Sequence, residues 1–305
     1  MPGDAGAGAA GAGAAAHLTL LLLLAQGPGP GAVLVGRVTA VAWPAQQGLA
    51  AALAEAADRA PPFPGVGPLP ARPIRVILAP TRERFDSLTR GRLPRWSEGA
   101  AFPEAGTVVL LTDGPHDRLT GALRHELAHV ALRWRVRRML PLWFEEGYAA
   151  VAAGEWDRLD ALRLNWQVAR GVQLDLDELD RALRSDRPDA TTAYALATTA
   201  VLLLERWGGG HGLEPFIDYL TRDATLDAAL RHTYHVTEGD FEARWQRDVA
   251  ARYGWLGWAS AVGLFWAALG LVLIWLVRLR RRRDRVRRAL LDEGWTLPQD
   301  DEPTA

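Results

Sequence analysis

The chain has 305 residues, 35 basic and 36 acidic side chains, a formal net charge of −1 and no cysteine. That length suits one ordinary domain plus extras or two small domains. Near-neutrality argues against a nucleic-acid binder, which carries a basic face. The lack of cysteine excludes disulfides and restricts any metal site to His, Asp or Glu ligands. Every basic residue is Arg and none is Lys, a compositional bias that carries no function by itself.

An apolar stretch over 8–25 is centred on the leucines of 20–24 and followed by Gly and Pro over 27–31. Its length and break suit a secretory signal segment over 1–31. Asp4 and the lack of any Arg before the apolar run make its N-terminal flank a poor one, and an uncleaved anchor or a low-complexity extension are the other readings. A soluble region is expected from 33 to 252. Residues 36–43 alternate like a strand, and 47–60 form an Ala-rich helix stopped by Pro61 and Pro62. After a Pro/Gly connector over 63–73, the aliphatic runs 74–78 and 108–111 read as strands bounded by turn residues. Residues 100–102 are placed to pair with 108–111 through a turn at Pro103-Glu104-Ala105-Gly106. From Asp117 onward helices are predicted at 117–138, 142–153, 156–170, 189–207, 212–222, 225–234 and 238–252. The last of these starts with Thr237 and Asp240 in capping-box spacing. A small sheet followed by a helical half indicates an α+β fold.

Residues 255–277 are uncharged and long enough to cross a bilayer as one helix. Trp255, Trp258 and Trp275 stand near the ends of this stretch, where aromatic rings favour the interface. Arg278, Arg280, Arg281, Arg282 and Arg283 follow it directly. The expectation is a single-pass transmembrane helix at 255–277 with an Arg-rich cytoplasmic tail at 278–305. The positive-inside rule would then place 33–252 outside the cytoplasm, in the periplasm or the extracellular space.

The segment His125-Glu126-Leu127-Ala128-His129 carries the chemistry. On a helix, positions i and i+4 lie one above the other, so both imidazoles reach one ion. Glu126 projects beside that ion, where it can hold a water. Neutral imidazole is a good zinc ligand, and a catalytic zinc needs a third protein ligand and an open position. After Pro141, the run Leu142-Trp143-Phe144-Glu145-Glu146-Gly147-Tyr148 begins a second helix, and a carboxylate there can return to the His face. Arg124, Arg133, Arg135, Arg137 and Arg138 around the motif exclude an active site embedded in hydrocarbon.

His-Glu-x-x-His followed by Pro-x-Trp-Phe-Glu-Glu-Gly resembles the gluzincin zinc peptidases, in particular their small peptidase-MA-like domains. The resemblance extends to Thr192-Ala193-Tyr194, Leu202-Leu203-Leu204-Glu205-Arg206-Trp207-Gly208 and Asp240-Phe241-Glu242-Ala243-Arg244-Trp245, and so over most of 36–250. It implies a zincin-like fold and one Zn2+ per chain held by His125, His129 and Glu146. Glu145 is left as a supporting or solvated carboxylate. Ala150 departs from the pattern, since some members carry there an Asp that supports a zinc-bound His, and another acceptor is then required.

The activity this implies is hydrolysis of peptide or protein substrates, with Glu126 as general base and Tyr194 as the candidate donor to the oxyanion. His211, His232 and His235 are weaker candidates. An extended substrate is expected to add to a strand edge, for which 108–111 is the sequence-based choice. The alternative is a catalytically silent domain that binds a peptide or protein without cleaving it.

Overall fold

The computed structural model describes residues 29–293 apart from 92, 95–96, 173 and 186–188. The apolar segment read as a signal lies almost wholly outside the described residues, as does the tail from 294. Five short strands form one mixed sheet in the order β1-β2-β3-β5-β4. They are β1 (Gly31–Val35), β2 (Val38–Ala42), β3 (Ile74–Ala79), β4 (Gly99–Phe102) and β5 (Thr107–Leu111). β2, β3 and β5 run parallel, and β1 and β4 close the two sides antiparallel. Two helices lie within this half, α1 (Gln47–Asp58) and α2 (Arg82–Thr89). Alternation along β5 sends Val108 and Leu110 into the main core and Val109 and Leu111 to the other face, against Phe85 of α2.

The second half is helical: α3 (Leu119–Arg135), α4 (Leu142–Ala153), α5 (Arg158–Ala169), α6 (Leu176–Leu183), α7 (Asp189–Trp207), α8 (Glu214–Leu220), α9 (Leu226–Tyr234) and α10 (Glu238–Tyr253). The mixed α/β architecture, with a small sheet and a mainly helical remainder, follows the order of patterns in the sequence. β1, α2 and α6 are additional elements.

The last helix, α11 (Trp255–Glu293), corrects the expected membrane arrangement. The helix continues without a break from its uncharged residues into the arginines that begin at Arg278. Among the described residues no helix is long and apolar enough to cross a membrane. The transmembrane helix at 255–277 is therefore not supported. Nor is the single-pass placement built on it, with the domain outside and the C-terminus in the cytoplasm.

Two sets of contacts hold α4 at its two ends. Arg124, one residue before the His-Glu-x-x-His segment, donates from Nε to the Ala152 carbonyl at 2.5 Å. Its other nitrogens reach the Pro61 and Pro62 carbonyls at 3.0 and 3.2 Å, and its guanidinium lies over the Phe63 ring. One side chain thus ties α3 to the C-terminal turn of α4 and to the proline connector. At the other end, Asp180 of α6 accepts from the Leu142 and Trp143 amides at 3.2 and 2.7 Å. These are donors that the first turn of a helix leaves without partners.

α4 also packs on α7 at Gly147, where an added Cβ would overlap the Ala197 carbonyl and come within 2.9 Å of Val201 Cγ2. Backbone cannot yield as a flexible side chain can, so the glycine sets the separation of these helices and the position of Glu146 beside it. Gly147→Ala is expected to destabilise the protein by about 1–3 kcal/mol through overpacking. Equilibrium denaturation measures this, and a change within a few tenths of a kcal/mol would contradict it.

Candidate metal centre

Helical geometry stacks His125 and His129 on one face of α3, with ring centroids 5.0 Å apart. The connector over 136–141 turns the chain back so that the first turns of α4 face these rings. Glu146 Oε2 then lies 3.5 Å from His125 Nε2 and 3.7 Å from His129 Nε2. One ligand atom from each of the three residues falls within 4.8 Å of the others. A tetrahedral ion with bonds of roughly 2.0–2.1 Å sets its ligand atoms about 3.3 Å apart. Two imidazoles and a carboxylate at this spacing could hold a metal ion, and these donor types suit zinc.

Charge reinforces the arrangement. Burial alone would raise the Glu146 carboxyl, but His129 and His125 beside it hold it well below the ordinary carboxylate range. Burial opposes a proton on His125, yet its hydrogen bonds to Glu146 and Glu155 outweigh this and hold its pKa well above the usual imidazole value. His129 is raised in the same way, with Glu146 overcoming burial. Without metal the three groups form a buried ion-paired cluster. A cation entering it must displace protons.

Glu126 is buried on α3, and burial raises its carboxyl, with His125 and His129 opposing. Gly99 of β4 passes directly against it: a Cβ at that position would overlap Glu126 Oε1. Tyr194 of α7 donates its hydroxyl to Glu146 Oε2. Burial first, then Glu146, raises its pKa well above the usual phenol value, so it remains a donor.

Glu145 stays outside the triad. Its Oε1 accepts from the Leu140 amide at 3.2 Å, fixing the α3–α4 connector. His211, His232 and His235 do not join the site. His232 stacks on Tyr219 with centroids 4.0 Å apart, and His235 caps α9 with positive φ. The 108–111 run is not a sheet edge, because β5 is buried between β3 and β4, and β4 forms the edge beside Glu126.

The acceptor that Ala150 does not provide is Glu155. Both its carboxylate oxygens lie 3.1 Å from His125 Nδ1. A carboxylate only accepts, so Nδ1–H donates and Nε2 is left facing Glu146. Gly154 makes this possible by ending α4 in the left-handed conformation, after which the Glu155 amide donates back to the Ala150 carbonyl at 3.1 Å. The helix-ending Gly followed by Glu was the available sequence signal.

These residues line a cleft of about 730 Å3, within the range of ligand sites, roughly 300–1,000 Å3. Ser97, Gly99 and Ala101 form one wall, Leu140 and Leu142 another, and Ala190 and Thr191 a third. Compared with known proteins, the chain matches no protein-family model and no curated sequence.

Glu155→Gln is expected to weaken zinc binding about 10–100-fold, the usual cost of losing the carboxylate behind a metal-bound His. Competition with a chromophoric chelator measures it, and unchanged affinity would contradict the role. Zinc uptake should also release protons from His125 and His129, so affinity falls as pH drops through their raised pKa values. Calorimetry in buffers of differing ionisation enthalpy reads this directly, and uptake without proton release would be the contrary result.

Proposed function

We propose that this chain is a zinc-dependent peptidase. His125, His129 and Glu146 hold the ion, and Glu126 is the general base. The observation that carries the reading is the convergence of two imidazoles and one carboxylate, beside a second acid, Glu126, in one cleft. A zinc ion bound by such a set supplies Lewis acidity, lowering the pKa of bound water and polarising a carbonyl.

The remaining work falls to the protein's own groups. Glu126 Oε1 accepts the proton of the attacking water and returns it to the leaving amine. Burial suits it to this by raising its proton affinity, and its neighbour Gly99 leaves it room. Tyr194 holds its proton and donates a hydrogen bond, here to Glu146 Oε2 and in turnover to the developing oxyanion. Glu155 fixes the ring of His125 through Nδ1.

Substrate backbone aligns along β4. That strand gives one side to β5, pairing Gly99 with Leu110 and Ala101 with Val108. Its other side faces the cleft, where an extended peptide adds as a further strand. Peptide or protein chains are thus the substrate class that the cleft's shape favours.

Glu126→Gln is expected to keep its zinc and lose about 10²–10⁴-fold or more in peptide hydrolysis. Metal content and turnover are measured on the same preparation, and retained turnover would sink the mechanism. A wild-type protein that takes up zinc and cleaves nothing in a broad peptide library would instead mark a silent binding domain.

A further inference from the structure

A second cavity, of about 300 Å3, adjoins the cleft behind the metal centre. The two share Glu155, Thr191 and Tyr194 as walls. The smaller one lies between the C-terminal end of α4, helix α5 and the first turns of α7, away from the β4 edge. Its depth comes from small side chains: Ala150 on α4 and Ala195 on α7 each end at Cβ. Leu164, itself buried, and the half-buried indole of Trp156 supply apolar wall.

The charged groups at this cavity already have partners. Glu155 is engaged by His125 Nδ1. Asp160 pairs with Arg163 at 3.1 Å and belongs to the capping box of α5 with Asp157. Thr198, at the inner end, donates to the Tyr194 carbonyl at 2.8 Å. An ionic ligand would therefore have to compete with existing pairs, whereas an apolar group needs only to displace water from Trp156, Leu164 and the two alanines. The volume stands at the lower end of ligand pockets, roughly 300 Å3, which suits one large side chain better than a whole ligand.

We infer that this cavity is a specificity pocket that takes one large apolar or aromatic side chain of the substrate. The inference rests on the peptidase reading. Because Tyr194 and Glu155 form the shared wall, the residue so held is adjacent to the bond presented to Glu126. Ala195 and Trp156 are the specificity-determining residues: Ala195 leaves the space, and Trp156 gives the ring against which the side chain packs.

The test uses the full-length, zinc-loaded protein and a set of otherwise identical peptides. Each position around the cleaved bond is changed in turn from Ala to Phe. At one position, Phe should exceed Ala by at least about tenfold in kcat/KM, the scale on which apolar pockets discriminate. In Ala195→Phe, which fills the cavity, the Phe-to-Ala ratio at that position should fall to near one. Zinc content reports whether that variant is folded. If it is not, Trp156→Ala, which removes the ring, should lower the same ratio.

Binding of the same peptides to Glu126→Gln, followed by calorimetry, separates the two ideas. Hydrolysis with no preference at any position, or a preference that survives the filled cavity, overturns the pocket and leaves the peptidase standing. Phe-dependent binding that Ala195→Phe abolishes, with no cleavage by the wild type, upholds the pocket and overturns the peptidase. Neither binding nor cleavage overturns both.

Discussion

A carboxylate withdrawn from water must be met by positive charge or hydrogen-bond donors, and the rest of this site depends on how Glu146 is met. Two imidazoles one helical turn apart on α3 and the hydroxyl of Tyr194 converge on one of its oxygens. They do so only because α3, α4 and α7 are held at fixed separations. Arg124 ties α3 to the end of α4, Asp180 satisfies the start of α4, and Gly147 lets α4 approach α7. The helical half is thus a frame for one buried cluster whose charges balance within it. The sheet adds the edge strand that brings Gly99 against Glu126.

The same cluster explains why a cation would be accepted. The pairs that raise the proton affinity of His125 and His129 are the pairs a divalent ion would replace, at nearly the spacing already present. In the proposed reaction the roles of Glu126 and Tyr194, proton acceptor and proton donor, are kept apart by different means. Burial and the edge strand define the first, and a raised phenol pKa defines the second.

Much of this was legible in the chain. His125, Glu126 and His129 are a local pattern, and helix periodicity alone places both imidazoles on one face. Glu146 was reached through the motif that follows, whose glycine has a packing reason in the Ala197 carbonyl. Glu155 was less legible: the helix-ending Gly154 before it is a readable signal, but eight residues separate it from Glu146, and only the fold shows that the chain returns there. The pairing of 100–102 with 108–111 holds, but the exposed edge was placed on 108–111 instead of β4 for the same reason. Residues 107–111 are a good strand, but which neighbours flank it is a property of the whole sheet. The α6 helix carried readable signals, a capping box at Asp175 and Glu178 and leucines at 176, 179 and 183. By contrast α2, polar apart from Phe85 and Leu88, offers little pattern to read. The run at 255–277 reads as a membrane span from its length, its lack of charge, its flanking tryptophans and the arginines after it. Among the described residues no helix is long and apolar enough to cross a membrane, and α11 runs on through the arginines from Arg278.

The account stands on a metal at the point where His125, His129 and Glu146 meet. The most direct measurement is elemental analysis of the purified full-length protein after exposure to zinc and removal of excess, beside Glu146→Ala handled identically. Zinc near one ion per chain in the wild type, lost or greatly weakened in the variant, is the result the account predicts. A folded wild-type protein that takes up no zinc, or a variant that holds it as tightly, would contradict it.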